Sequence, residues 1–363
     1  MDQPAVVVLF GGRSSEHSIS SATAGGVLHA IDRDRYRVIP VGLTRAGVFV
    51  LEDDDPDKFA LVADRLPEVV DNGTRIVWPE PGAERMLRVR RADGTVDDLG
   101  VVDVVLPILH GTHGEDGTIQ GFFDTLELPY AGGGVLDSAL CMDKHFMKIV
   151  LQAAGIPVSP WVTVTAERWR DDERGVRADI EELGYPAFVK PARAGSSVGV
   201  SKAHTADELD DALAMAFAED RKVLVETAIS GREVEVAILQ GREGGASRAS
   251  LPGEIVLTTR EFYDFEGKYL GGDGADVVCP ADLDADQIAA IQDLGVRAFD
   301  AVEGRGLARV DFFLTADGLV VNELNTMPGF TPISMFPKCW IASGMTYAEL
   351  ISELIDMALE PAA

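Results

Sequence analysis

The sequence predicts an α/β domain followed by two smaller α+β units, and three features carry that expectation. Continuous apolar runs, AVVVLF at 5–10 and VVDVVLPILHG at 101–111, end at glycines, as buried parallel strands do where they pass into loops. Strand and helix patterns alternate up to about residue 135, which places helices against a parallel sheet. Beyond that point the strands come in pairs joined by loops or turns and separated by helices.

In the first unit, 1–135, the opening strand passes through Gly11-Gly12 into a helix within SSEHSISSATAGGVLHAI. RVIPVGL is a second strand, and VVDVVLPILHG is a third with His110-Gly111 at its carboxyl end. Residues 52–100 are rich in charge, Pro and Gly and read as a peripheral insertion with a hairpin around Asp93-Gly94. In the second unit, 136–222, LDSALCMDKHFMKIVLQAAG reads as one helix ending at Gly155. YPAFVKPARAGSSVGVSKA gives strand, Gly-rich loop and strand. TADELDDALAMAFAED gives an amphipathic helix with Thr205 as N-cap and Glu208 completing a capping box. KVLVETAI and REVEVAIL are expected to open the third unit, 223–363, as antiparallel strands. The stretch 260–280 has no clean periodicity and several glycines, and loops that long inside a compact enzyme are usually lids or disordered. A helix at 284–303 then precedes a hairpin, GLARVDFFLTADGLVVNELN, turning at Asp317-Gly318. There is no internal repeat.

Composition narrows the function. A net charge of −28 over 363 residues argues against a nucleic-acid partner, which needs clustered Lys and Arg, but leaves room for a small basic pocket. Cys141, Cys279 and Cys339 are odd in number and widely spaced, so buried free thiols are expected rather than a disulfide framework or zinc knuckle. The acidic start MDQP does not read as a secretory signal, and no apolar run reaches the ~18 residues of a membrane span. A cytoplasmic protein is expected.

The chemistry is concentrated near the last hairpin. Glu323 and Asn325 lie two apart on a strand and so share a face, and Asp311 on the partner strand can join them. Two carboxylates and an amide oxygen are hard ligands suited to Mg²⁺, which completes its shell with phosphate oxygens and water. The alternative is a solvated hairpin face. Lys190, followed by Gly195-Ser196-Ser197-Val198-Gly199, offers a cation and small residues that let backbone N–H groups approach an anion. It is not a Walker A motif, and alone it also reads as a flexible turn. Lys144 and Lys268 are further cations or plain surface lysines. Glu226 and Glu233 suit a ribose and an adenine edge, or solvent. GGRSSEHSIS is not GxGxxG, so nicotinamide binding is disfavoured, and His110, His113 and Glu115-Asp116 are only a weak zinc pattern.

Taken together, LFGGRSSEHSIS, HGTHGEDGTIQG, MDKHFMK, VKPARAGSSVGV, FYDFEGKY, RVDFF and NELNTMPGFTPISMFP resemble, in order and over nearly the whole chain, the D-alanine–D-alanine ligase family of the ATP-grasp superfamily. The residue after HGT, often Tyr in that family, is His113 here. The resemblance implies an N-terminal Rossmann-like domain and two α+β subdomains that sandwich ATP. ATP would phosphorylate one D-alanine carboxylate, and a second D-alanine amine would attack the acyl phosphate.

The resemblance also implies roles. Asp311, Glu323 and Asn325 would hold two Mg²⁺ or Mn²⁺ ions, with Glu323 bridging. Lys144, Lys190, Ser197, Phe313 and Lys268 would line the ATP site, Glu226 and Ile229 the adenine and Glu233 the ribose. Glu16 would hold the first ammonium, Arg309 and Gly329 the oxyanion, and Ser334, Met335 and Lys268 the second carboxylate. Ser196 and Tyr269 would join Glu16 when the lid closes, and His110 would lie near the amino acids. A homodimer and K⁺ activation are family traits. Tyr269 also separates the expected peptide ligase from a D-alanine–D-lactate ligase, which carries His there. Other ATP-grasp ligases are disfavoured by EHSIS with SMFP, and a non-catalytic scaffold by retention of Arg309 and the metal ligands.

Overall fold

The computed structural model describes residues 3–60, 66–257 and 275–360. β1 (Ala5–Gly11) is buried along its whole length because it runs parallel to neighbours on both sides, β2 (Arg37–Leu43) and β7 (Val104–Ile108). β3 (Phe49–Leu51) completes the order β3-β2-β1-β7. The expected insertion forms a three-stranded sheet, β4 (Arg75–Val77), β5 (Met86–Arg90) and β6 (Val96–Val101), and β5–β6 is the expected hairpin. It is less peripheral than its composition suggests. Leu87 and Val89 are fully buried, and Leu87 shares a core with Phe123 of α2 (Thr118–Thr125).

The second sheet is antiparallel, in the order β10-β9-β11-β8: β8 (Trp161–Thr165), β9 (Ala187–Pro191), β10 (Ser201–Ala203) and β11 (Lys222–Thr227). Helices α6 (Glu173–Leu183) and α7 (Leu209–Glu219) cover it through Val176, Ile180, Leu209 and Leu213. A short α5 (Ala166–Asp171) precedes α6. The strand expected to open the third unit is thus β11, and it pairs with β9 and β8 instead. Its expected partner, β12 (Arg232–Leu239), lies in the next sheet. The capping box before α7 is also not formed. Thr205 makes no capping bond, residues 206–208 wind as a 3-10 turn, and Glu208 accepts from the backbone of His204 at 2.8 Å.

The third sheet runs β15-β14-β12-β16-β17, with β13 (Arg248–Ala249) also on β12. Its other members are β14 (Gly253–Leu257), β15 (Ala275–Val278), β16 (Leu307–Thr315) and β17 (Gly318–Asn325). Of the expected lid, 258–274 lies outside the described residues, and 275–278 is strand, paired with β14.

The single helix expected before Gly155 is two, α3 (Val135–Met142) and α4 (Lys144–Ala153). Asp143 breaks it with φ −94° and ψ 97°, and its carboxylate caps Phe146 N. Cys141, Met147 and Leu151 from these helices, with Leu294 and Phe299 from α8 (Ala285–Ala301), pack on Val236, Val310 and Phe312 of the third sheet. The last helices, α9 (Met335–Ala342) and α10 (Tyr347–Leu359), return to the first sheet. There Leu350, Ile351 and Leu354 join a core with Val27, Leu28 and Leu106. Each such side chain contributes roughly 1.5–3 kcal/mol when fully buried, so the chain's end is anchored to its beginning. No described helix is long and apolar enough to cross a membrane.

Candidate active site

Strand β1 ends in Gly11 and Gly12 at φ 93° and 100°, a region open to glycine, and a Cβ on Gly11 would lie 2.4 Å from Leu43 O. This turn delivers Glu16 to the start of α1 (His17–Ala30), beside His110-Gly111 at the carboxyl end of the adjacent β7. That edge is where open α/β sheets bind ligands. Ser14 Oγ donates to His110 O at 2.6 Å and accepts from Glu16 N at 3.2 Å, fixing the two loops together. Glu16 is buried, and Ser196 Oγ donates to its Oε1 across 180 residues of chain. Gly111 and Gly195 flank the same carboxylate: a Cβ on either would sit 2.9 or 3.0 Å from Oε2.

His110 places Nδ1 at 3.0 Å from Met327 O, which makes Nδ1 the donor, while its buried Nε2 has no partner among the described residues. Burial holds this imidazole below its usual pKa despite the attraction of Glu16. Glu115 accepts from Gly111 N at 2.8 Å, and burial, reinforced by Glu16, pushes its pKa up to about 8. Asp116 accepts from His113 N and Thr118 N, so it shapes a turn. Among the described residues no three His, Cys, Asp or Glu side chains form a metal-holding group.

On the facing wall, Ser196 and Ser197 hold φ 51° and 58°, a left-handed pair costing about 1–3 kcal/mol each, such as functional loops retain. The α3–α4 break puts Lys144 in the first turn of α4, with Nζ 2.9 Å from Ala194 O and 3.5 Å from Glu323 Oε2. Lys190, from β9, reaches Glu226 Oε2 at 2.8 Å and Asn322 Oδ1 at 3.4 Å. Glu226 Oε2 also receives Ser159 Oγ at 3.0 Å and Lys148 Nζ at 3.3 Å. Burial would raise the Glu226 pKa, but Lys190 and Lys148 outweigh it and hold the carboxyl below its usual range.

The hairpin is as expected at its acidic end. Asp311 pairs directly with Glu323, and Arg309 with Asn325, whose Nδ2 lies 3.0 Å from Asp311 Oδ2. A bulge follows Asp311, leaving Asn322 as the extra residue, so Asn322 and Glu323 both line the cleft although they are consecutive. Arg309 donates to both oxygens of Asp311, at 2.7 and 2.8 Å, and its Nε lies 2.9 Å from Glu235 Oε2. Burial works against its charge, but Asp311 and Glu235 hold the guanidinium pKa well above its usual value.

These elements line an open cleft between the second and third sheets. Lys144, Lys190, Ser196, Ser197, Glu226, Ile229, Glu233, Arg309, Asp311, Phe313 and Glu323 all line it. Asn325 is tied to it through Asp311 and lines an adjoining pocket with Lys144 and Glu323. Gly329 lies beyond, where its missing Cβ would meet Ser334 Oγ at 3.2 Å, and Ser334 Oγ is tied to Thr331 Oγ1 at 2.7 Å. The Met335 side chain is buried in the core under α9, so any part it plays in binding falls to its backbone amide. Lys268 and Tyr269 lie outside the described residues. Sequence reasoning missed Glu235, although its spacing of two from Glu233 on a strand was a usable signal. It also missed Asn322, hidden by the bulge, and Lys148, which on a helix resembles any other lysine.

The comparisons agree over the whole chain. A family model described as D-ala D-ala ligase N-terminus matches residues 5–133, and one described as D-ala D-ala ligase C-terminus matches 150–356. A D-alanine--D-alanine ligase of Arthrobacter sp. (strain FB24) is 51% identical over 98% of this chain and 94% of its own. One from Streptomyces coelicolor is 46% identical over 98% of this chain and 93% of its own. Among solved structures, the D-alanine-D-alanine ligase of Coxiella burnetii superposes with TM-score 0.82 at 35% identity, covering 99% of this chain and 94% of that one. The VanG D-Ala:D-Ser ligase of Enterococcus faecalis superposes with TM-score 0.85 at 33% identity, over 98% of this chain and 100% of that one. With both halves matched and the ordering of β-strands, loops and acidic hairpin in place, this chain belongs to the D-alanine–D-alanine ligase family.

Proposed function

We propose that this protein joins two D-alanine molecules into D-alanyl-D-alanine, converting ATP to ADP and phosphate, for peptidoglycan precursor synthesis. The observation that carries this reading is one cleft in which Lys144 and Lys190 meet the paired carboxylates Asp311 and Glu323. Ammonium groups suit phosphate oxygens, and hard oxygen donors suit Mg²⁺ or Mn²⁺. Asp311, Glu323 and the amide oxygen of Asn325 would hold two such ions. The ions, when bound, neutralise charge on the transferring phosphoryl group. Glu226 and Ile229 serve the adenine and Glu233 the ribose, while Ser197, Phe313 and Lys268 complete the nucleotide walls.

Glu16 takes the ammonium of the first D-alanine and so aims its carboxylate at the γ-phosphorus. Carboxylate oxygen attacks, ADP leaves, and an acyl phosphate forms. The amine of the second D-alanine, having lost a proton, attacks the acyl carbon, and phosphate departs. Arg309 and the N–H of Gly329 stabilise the oxyanion of that tetrahedral intermediate. Ser334, the Met335 amide and Lys268 hold the second carboxylate, and His110 stands beside Glu16 on the amino-acid side. Ser196 and Tyr269 would join Glu16 as the lid closes, which would exclude the water that hydrolyses the acyl phosphate. The family resemblance further supports a homodimer, K⁺ activation and three units along the chain.

The test is to incubate pure protein with ATP, Mg²⁺ and D-alanine and to weigh the product. The expected result is dipeptide with one ADP released per bond. Equal ADP release with L-alanine, or none with D-alanine, overturns the reading. D-Lactate and D-serine added in competition show whether the second site prefers another nucleophile.

A further inference from the structure

Lys148 is a buried charge that the proposed chemistry does not use. Its side chain, on α4, is completely buried. A lysine is rarely left there without a task, because desolvation favours its neutral form, and here burial brings its pKa down to about 8. Its Nζ has three oxygen neighbours: Ser159 Oγ at 2.7 Å, Ser159 O at 3.4 Å and Glu226 Oε2 at 3.3 Å.

The Glu226 carboxylate is asymmetric. Lys190, Ser159 and Lys148 all converge on Oε2, whereas Oε1 is buried and has no hydrogen-bond partner among the described residues. A buried carboxylate oxygen left without a donor is costly. Glu226 lines the cleft beside Thr227 and Ile229, so a donor arriving with a ligand can satisfy it. The two lysines are not equivalent. Lys190 also lines the cleft, where a bound phosphate chain would compete with Glu226 for it. Lys148 is sealed off and cannot be drawn away.

We propose that Lys148 is a positioning residue for nucleobase selection: with Ser159 it keeps Glu226 ionised and rotationally fixed, presenting Oε1 as an acceptor for the exocyclic amine of a 6-aminopurine. A 6-oxopurine places a carbonyl oxygen at that point and meets an acceptor with an acceptor. This rests on the ATP-site reading given above, and it assigns to a residue outside the cleft the discrimination made inside it.

The experiment measures equilibrium dissociation constants of ATP and inosine triphosphate by calorimetry, on wild type, Lys148→Met and Glu226→Gln, with folding followed by thermal melting. Wild type should bind ATP at least ~100-fold more tightly than inosine triphosphate, since a site built to pair a polar group rejects the analogue lacking it. Lys148→Met should cut that ratio at least ~10-fold, chiefly by weakening ATP. Glu226→Gln, whose amide can donate to a carbonyl oxygen, should cut it further. If Lys148→Met does not fold, the double variant Lys148→Met/Glu226→Gln, which removes both charges, should restore melting and show the ratio of Glu226→Gln alone. Equal weakening of both nucleotides in Lys148→Met marks a merely structural lysine and overturns the proposal. A wild type that binds ATP but makes no dipeptide overturns the ligase reading and leaves this inference standing. A wild type that binds neither nucleotide overturns both.

Discussion

Arg309 donates to both carboxylate oxygens of Asp311, at 2.7 and 2.8 Å, from a position two residues away on the same strand. Glu235, directly opposite Asp311 on β12, presses a second carboxylate on the same guanidinium at 2.9 Å. Arg309 is therefore the counter-charge that lets two acids face each other inside the sheet. Removing it by Arg309→Met should leave them uncompensated and cost about 3–5 kcal/mol of stability, the usual penalty for breaking a buried ion pair from one side. Adding Glu235→Gln should return much of that loss. A double-mutant cycle by chemical denaturation checks it, and strictly additive losses would show that the three groups do not act together.

Glu323 lies 3.5 Å from a phosphate-side lysine, Lys144. If it bridges two ions, Glu323→Ala should lower turnover at least ~10³-fold, a few kcal/mol of transition-state stabilisation. Asn325→Ala should cost less. Both variants should still fold: Glu323→Ala removes a negative charge beside Asp311 and relieves repulsion, and Asn325→Ala removes only a neutral amide that donates to Asp311. Chelation of divalent ions should abolish ADP release by wild type without unfolding it. A folded Glu323→Ala enzyme with near-normal turnover would end the metal assignment.

The tie between Glu16 and Ser196 gives a split between the two substrates. Glu16→Gln keeps a partner for Ser196 Oγ but loses the charge that holds an ammonium. The Michaelis constant for D-alanine at the first site should rise at least ~100-fold, as expected for losing a charge-assisted contact of about 3 kcal/mol. The dissociation constant for ATP should stay within about twofold of wild type, since no nucleotide-side group is changed. Comparable losses for both substrates would place Glu16 in the fold rather than at the ammonium.

Much of this site was legible because its parts are local. Glu323 and Asn325 announce a shared face by spacing alone, and the glycines at 11–12 and 195 mark places where the backbone must approach something. What was hidden depends on distant partners. No spacing rule reveals that β11 leaves β12 for β9, since the Ala228–Gly231 connection looks like any short turn. Asp143 breaks a helix whose apolar periodicity runs on without interruption, because a capping bond and Lys222 reward the break. Asn322 reaches the cleft only because a bulge moves the alternation by one residue.

His17, next to Glu16, gives a stability prediction that depends on pH. It is fully buried, donates from Nδ1 to Gly12 O at 2.6 Å, and accepts from Val69 N at its Nε2, 2.9 Å away. Only the neutral ring with the proton on Nδ1 makes both bonds; a protonated ring would turn Nε2 into a donor facing a donor. Burial is the main reason its pKa lies below the usual value, and nearby Arg45 adds to it, while the Gly12 bond and Glu68 oppose. A base with a depressed folded pKa binds more protons when unfolded, so stability rises with pH through that window. The contribution of His17 is therefore fully present above about pH 6.5, the unfolded value, and is lost as pH falls through the lower folded one. His17→Gln removes the titration. At pH 7.5 it should be less stable than wild type by about 1–3 kcal/mol, from two disturbed buried hydrogen bonds. Between pH 6.5 and 5 the wild-type melting temperature should fall faster than the variant's, so that the two curves approach each other. The comparison isolates His17 from His110, which is also buried and depressed but is common to both proteins. Melting curves that stay parallel across that range would mean that the ring does not titrate with unfolding, and that Val69 is held by something other than a neutral imidazole.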